Sequence, residues 1–420
     1  MSVQDFHEDR AISMRAELDG VLGRGQDTYT PTRAVIERAE GTRLYTVDGH
    51  TLIDFAAGVL VANLGHAHPG FERLLTQYRG AQPRTAYNLI TPVLVEASRR
   101  LVQSLAMPRA EKLLWAASGS EAIQKAMWCA RHRHPDRPIM LATRAGFHGK
   151  KGLAGDVSGE KSPNPDVRFV GFPMSNDAKP ADVQRELDAI EAEHGGRIAL
   201  LITEPYLGAR GSYHPPKWYH PLLQAWCRER DIALIFDEVQ ACHGRTGNLY
   251  AFQTYGVEPD LVVLGKGLGN GVPVAACVGR AELIDALDYG EGSDTFSGNP
   301  EACAAVCAVL DVFEQENVLA HAREAAALMG QQLCQLMGRF SFIKAVRGEG
   351  LVHGIEMDSP GRAVACVREA YLGDGTLGVH FLGPLAKQVL RVSPPLLIRE
   401  DELRTAFGIL ETAWSRVENH

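Results

Sequence analysis

Short apolar runs alternate with amphipathic stretches from about residue 105 to residue 300. "EKLLWAAS" gives way to a helical pattern starting near "SEAIQKAMWCARHR", "RPIMLATRA" leads into the loop "GFHGK", and "VRFVGFP" follows. The helical stretch "ADVQRELDAIEAEHG" precedes "IALLITEP", and "WYHPLLQAWCRERD" precedes "IALIFDEV"; "PDLVVLGK" and "VPVAACVG" come next. Apolar strands of about four to six residues separated by helices predict a mostly parallel sheet covered by helices. From "SGNPEACAAVC" to "QQLCQLM" the period is helical throughout. Beyond it lie "FIKAVRGEG", "LVHGIEM", a helix at "GRAVACVREAYLG", "VLRVSPPLLI" and a closing helix "REDELRTAFGILETAWSRV". That tail is α+β in character. The expectation is an α/β chain with a large domain over residues 61–310. A smaller α+β domain is expected from the two ends, residues 1–60 and 311–420.

The bulk properties narrow the function without naming it. A chain of 420 residues, 45% hydrophobic and 22% charged, has the composition of a globular enzyme with a substantial core. Its formal charge of -8 gives no electrostatic footprint for nucleic acid. No apolar run approaches the roughly 20 residues of a membrane span. The polar, mixed-charge start "MSVQDFHEDRAISMRAELDG" does not read as a signal peptide. Eight cysteines are scattered, mostly within apolar segments, so a reducing cytoplasm is the expected setting. His66 and His68 in "GHAHPG", and His132 and His134 in "RHRHPD", sit in Pro-containing loops without a third ligand at useful spacing. No metal site is expected there.

Candidate chemistry gathers at strand ends. In open α/β sheets, ligands bind beyond the carboxyl ends of the strands. Glu204 follows "ALLIT", Asp237 follows "ALIF" and Lys266 follows "LVVLG". A single strand-end acid reads equally well as a turn residue; three charges including a lysine point to a site. Desolvation there favours the neutral amine, the form that Schiff-base chemistry requires. In "AASGSEAIQKA", Ser118, Gly119 and Ser120 lie between a strand and a helix. That arrangement reads as a phosphate cradle at a helix N-terminus or as a plain serine cap. The glycines of "GKGLGNG" match neither nucleotide-binding fingerprint.

Lysine for an imine, an acid for a ring nitrogen and a phosphate cradle are what pyridoxal phosphate requires of a protein. The ordered segments "DGHTLIDFAAGVLVANLGHAHP", "SGSEA", "GFHG", "TEP", "FDEVQACHGRTG", "PDLVVLGKGLGNGVP", "TFSGNP" and "LRVSPPL" span about residues 40 to 400. Together they resemble the class III aminotransferases of the ornithine/4-aminobutyrate type, which share pyridoxal-phosphate fold type I. The resemblance implies that Lys266 bonds the cofactor and shuttles the proton, while Asp237 pairs with the ring nitrogen. It implies Gln240 near the ring hydroxyl, Phe147 on one ring face, and Ser118, Gly119 and Ser120 around the phosphate. It further implies a homodimer in which Thr295 reaches the neighbouring subunit's phosphate. Arg391 would grip a substrate carboxylate, and Glu204 would stand behind the site. The implied partners are an amino donor and a 2-oxo acid.

One departure bears on the reaction. Members that alternate between an ω-amine and 2-oxoglutarate carry a glutamate shortly after the "EP" of the strand; it covers the arginine. Here the segment reads "EPYLGARG", with Ala209 in that place and Arg210 after it. Relatives without the glutamate include racemases, aminomutases and decarboxylases as well as transaminases.

Overall fold

The structure, a computed structural model, describes residues 9–175 and 177–418. The chain divides into two compact units. One takes the described residues up to His68 and those from Ala320 onward; the other spans Pro69–Leu319.

The first unit begins with three strands, β1 (Ile36–Glu40), β2 (Arg43–Thr46) and β3 (Thr51–Asp54). The second contains β4 (Lys112–Ala116), β5 (Ile139–Thr143), β6 (Val167–Val170), β7 (Ile198–Thr203), β8 (Ala233–Asp237), β9 (Leu261–Leu264) and β10 (Ala275–Gly279). These seven form one sheet in the order β4-β10-β9-β8-β7-β5-β6. β10 is antiparallel to both of its neighbours, and every other pairing is parallel. The exception has a simple cause. After β9 the chain returns through the short loop 265–274, too short for the crossover that a parallel neighbour needs. Because β4 to β9 all run the same way, their carboxyl ends share one edge.

β7, β8 and β9 are buried at every position, as continuous apolar runs require. The helix Gly119–Arg133 lays Ala122, Ile123, Ala126, Met127, Cys129 and Ala130 onto this sheet. Burying side chains the size of Ile123 or Met127 stabilises the packing by about 1.5–3 kcal/mol each. The long helical stretch is in fact two helices, Pro300–Gln315 and Val318–Arg339. Asn317 breaks it with φ +49, a left-handed conformation that asparagine tolerates better than most residues.

The first unit continues with β11 (Ile343–Glu349), β12 (Val352–Met357), β13 (Leu377–His380), β14 (Leu382–Leu385) and β15 (Val389–Val392). Its sheets run β1-β2-β3-β13 and β11-β12-β15-β14. The apolar run at "VLRVSPPLLI" yields only a short strand, since Pro394 and Pro395 lack the N–H that a ladder uses. Among the described residues, no helix is long and apolar enough to cross a membrane.

Candidate active site

Four loops converge at the carboxyl edge of the seven-stranded sheet. The first follows β4. Ser118 caps the helix Gly119–Arg133: its Oγ accepts from the Glu121 N–H at 3.4 Å, and Glu121 reaches back to the Ser118 N–H at 3.0 Å. The serine is therefore a true cap, and the two readings of that segment are compatible, because the first amides of a helix have no intrahelical acceptor. The second loop, "GFHGK", follows β5. A Cβ on Gly149 would come within 2.6 Å of Ser120 Oγ, so this loop lies hard against the first.

Val239 closes the group. It belongs to the third loop, after β8, and its Cγ1 lies 2.9 Å from where Gly119 would carry a Cβ and 3.2 Å from the same point on Gly265. Glycine at both positions lets three loops approach one side chain. Lys266 opens the fourth loop, after β9, with φ +44, a left-handed conformation uncommon for lysine. Strain of this kind collects at functional sites.

Buried polar groups link the loops. Asp237, 5% exposed, receives His148 Nδ1 at 2.8 Å on Oδ2 and the Val239 N–H at 3.0 Å on Oδ1. An ionised aspartate can only accept, so in that state His148 carries a proton on Nδ1. Glu204 is buried beside them. Its two oxygens accept from the Phe147 N–H at 2.9 Å and the Gly208 N–H at 3.2 Å, and burial pushes its carboxyl up to about 7. Glu238 faces the other way: it accepts from the Ala251 and Phe252 N–H groups at 2.7 and 2.6 Å, so it anchors a helix start. Gln240 Oε1 is buried with no hydrogen-bond partner.

A cavity of about 730 Å³ opens between these loops, lined by Ser118, Ser120, Lys125, Phe147, Lys150 and Asp294 among others. Phe147 is 44% exposed on its wall. Thr295 is exposed and adjoins Asp294 on that wall; its carbonyl accepts from Thr85 Oγ1 at 2.8 Å. The structure thus groups Ser118, Gly119, Ser120, Phe147, Asp237, Gln240 and Lys266 at one sheet edge. Arg391 belongs to the other unit, on β15, opposite Gly354 and only 2% exposed. Arg210 is exposed and its nearest carboxylate is Glu160, at 3.9 Å.

Two residues were invisible to sequence reasoning. His148 shows only as part of "GFHG", and Lys125 only as a polar position in a helix. The histidine pairs are otherwise engaged: His66 Nε2 meets Asp54 at 2.9 Å, His132 Nδ1 meets the Trp128 carbonyl at 2.9 Å, and His134 lies 3.2 Å from Asp231. Among the described residues, no group of three or more His, Cys, Asp or Glu forms a cluster able to hold a metal ion.

Known proteins resemble this chain across nearly its whole length. Residues 25–414 match the family described as Aminotransferase class-III. An acetylornithine aminotransferase from Agrobacterium fabrum is 33% identical over 395 residues, covering 92% of this chain and 95% of its own. One from Methanocaldococcus jannaschii is 30% identical, covering 93% and 96%. Among solved structures, an amine transaminase from an uncultivated Pseudomonas species, in its pyridoxal-phosphate-bound form, superposes with TM-score 0.84 at 28% identity. That match covers 94% of this chain and 98% of the other. The ornithine aminotransferase of Toxoplasma gondii ME49 gives TM-score 0.85 at 25% identity, covering 100% and 99%. With the family matched over most of the chain and the fold shared, the chain belongs to the class-III aminotransferases and is a pyridoxal-phosphate-dependent transaminase.

Proposed function

We propose that the chain transfers an amino group from an amino acid, or another amino compound bearing a carboxylate, to a 2-oxo acid. The observation that carries this reading is Arg391, a guanidinium buried within a strand. A planar guanidinium fork matches a carboxylate with two parallel bonds, which suits a substrate that carries one. Similarity to acetylornithine and ornithine aminotransferases supports an amino-acid donor.

The sheet edge suits the cofactor. Gln240 Oε1 is buried without a partner, so the side chain has unmet polar capacity, and its Nε2 would donate to a ring oxygen; Gly119 and Ser120 offer amides to a phosphate. Phe147 would cover one ring face. Once bound, pyridoxal phosphate supplies an electron-withdrawing ring that weakens bonds at the amino-bearing carbon. The protein's own part follows from its side chains. Asp237 would hold the proton on the ring nitrogen, with His148 Nδ1–H fixing the carboxylate's direction. Lys266 Nζ would hold the cofactor covalently until the substrate's amine displaces it, and the amine so freed would carry the proton between the substrate and cofactor carbons. Glu204 would hold the Phe147 loop through its backbone amide.

The same reading makes the active unit a homodimer in which Thr295 serves the neighbouring subunit. What supports it is exposed apolar surface next to that residue. Phe296 is 63% exposed, and the segment that bonds Thr295 continues into Tyr87, Leu89 and Ile90, with Ile90 85% exposed. The eight free cysteines suit a reducing cytoplasm.

A second reading has Ala209 opening the pocket to simple monoamines, in line with the similarity to an amine transaminase. A donor panel separates the two. Purified holoenzyme is mixed with ornithine-like amino acids, ω-amino acids and monoamines, and loss of the cofactor's absorbance band is followed. Faster bleaching by carboxylate-bearing donors is expected. A preference for monoamines would overturn the reading.

A further inference from the structure

Lys125 is 2% exposed, although lysine is among the residues least often fully buried. It sits in the second turn of the helix Gly119–Arg133 and lines the cavity shared with Ser118 and Ser120. An ammonium in that place invites a direct role as a phosphate ligand. Its contacts argue otherwise. Nζ donates to the Trp115 carbonyl at 2.6 Å and to Ser297 Oγ at 3.0 Å, and it pairs with Asp294 Oδ2 at 2.5 Å. Two of its hydrogen bonds and its charge are thus already taken up within the protein. Ser297 Oγ also donates to Asp294 Oδ2 at 3.1 Å, closing a small network.

The network has a clear mechanical reach. Trp115 lies on β4, an edge strand of the seven-stranded sheet, and Lys125 stands on the helix that follows it. Asp294 and Ser297 bracket Thr295 and Phe296 in a stretch with no helix or strand of its own until Pro300. Its own backbone contributes turn bonds, such as the Ser297 N–H to the Asp294 carbonyl at 3.1 Å, and the Thr295 carbonyl accepts from Thr85 Oγ1 at 2.8 Å. Gly298 adds close packing, since a Cβ there would meet Leu94 and Trp115 at 2.9 and 3.0 Å. The lysine therefore clamps the turn onto rigid elements from within.

We propose that Lys125, through Asp294 and Ser297, is a positioning residue that sets the turn carrying Thr295 and so presents that threonine to the neighbouring subunit's cofactor phosphate. This rests on the reading of Thr295 given above. The lysine itself does not touch the cofactor. It acts by reducing the number of conformations the turn would have to give up on binding.

The test measures cofactor affinity, not turnover. Apoprotein of Thr295→Ala, Lys125→Met, Asp294→Asn and the double variant Lys125→Met/Thr295→Ala is titrated with pyridoxal phosphate, and thermal midpoints of the apoproteins are recorded alongside. Thr295→Ala should weaken binding by roughly tenfold, as expected for one lost hydrogen bond to a charged group. Lys125→Met and Asp294→Asn should each weaken it several-fold, and the double variant should be no weaker than the worse single one. Unchanged affinity in Thr295→Ala would overturn the reading of Thr295 and the proposal with it. Loss in Thr295→Ala without loss in Lys125→Met or Asp294→Asn would overturn the positioning role alone. So would losses that multiply in the double variant, because they would mean that Lys125 acts on the phosphate independently. If Lys125→Met does not fold, Asp294→Asn decides the matter, since Asp294 is 46% exposed on its side chain and tolerates the change.

Discussion

Gly208→Ala is a sharper probe of the cofactor pocket than any change to a charged residue. An ideal Cβ at Gly208 would sit 1.9 Å from Gln240 Oε1, 2.6 Å from its Cδ and 2.8 Å from its Nε2. Ordinary contact begins near 3.4 Å, so the amide would have to retreat by about 1.5 Å to restore a normal separation. Nothing about the backbone adds strain, because Gly208 does not have a left-handed φ. The effect should therefore pass through Gln240 alone. A hydrogen bond from that amide to the cofactor is worth about 0.5–1.5 kcal/mol, or roughly 2- to 13-fold in affinity. Gly208→Ala should lose at least that much, and Gln240→Ala a similar amount. The double variant should bind about as well as Gln240→Ala, because the atom that the new methyl strikes is gone. Titration of each apoprotein with pyridoxal phosphate, followed by absorbance, reads all three. If Gly208→Ala is neutral, or if the two losses multiply in the double variant, then Gln240 is not what the glycine makes room for.

Lys266→Ala should abolish covalent attachment, so that borohydride fixes cofactor to the native chain only; label on a peptide lacking residue 266 would refute the assignment. Asp237→Ala should lower turnover by about 10²- to 10³-fold, the usual cost of removing a preorganised charge from a reacting centre, and a near-normal rate would place the ring's partner elsewhere. Arg391→Ala should raise KM for carboxylate substrates by roughly 10- to 150-fold while sparing neutral amines, and equal losses for both would make it structural. The fourth expectation concerns acid stability. Burial holds the His220 ring down to about 4, with Nε2 bonded to the Pro205 carbonyl at 2.9 Å, so the folded chain keeps it neutral. A depressed histidine contributes stability that is present above its ordinary value near 6.5 and is lost as pH falls toward 4. The full span is worth roughly 3 kcal/mol. His220→Phe should flatten the fall in urea midpoint between about pH 6.5 and 4, and parallel curves for the two proteins would show that the linkage lies elsewhere.

How far the chain's own order of residues reached can be told from particular elements. Strands β7, β8 and β9 were readable because a fully buried strand is a continuous apolar run, and a charge at its end breaks that run visibly. Asp237 and Lys266 stood out for this reason, and Ser118 did because a cap is a local signal within four residues. The strands β1 to β3 were not marked, since β1 is mostly exposed and β2 and β3 are only four residues long, too short for a clear pattern. The reversed direction of β10 was equally hidden: strand direction depends on where the chain lies in space.

Tertiary structure alone decided the polar pairings. His148 meets Asp237 across 89 residues, and Lys125 meets Asp294 from a helix whose pattern gave that lysine no special standing. Periodicity reports which positions face a core, and it says nothing about which buried charge will find which partner. That choice follows from the sheet order, which brings the ends of β4, β5, β8 and β9 to one edge although they are far apart in the chain. Local chemistry was written in the residues. The company each residue keeps came from the packing, because a buried polar group must be satisfied by whatever the fold places beside it.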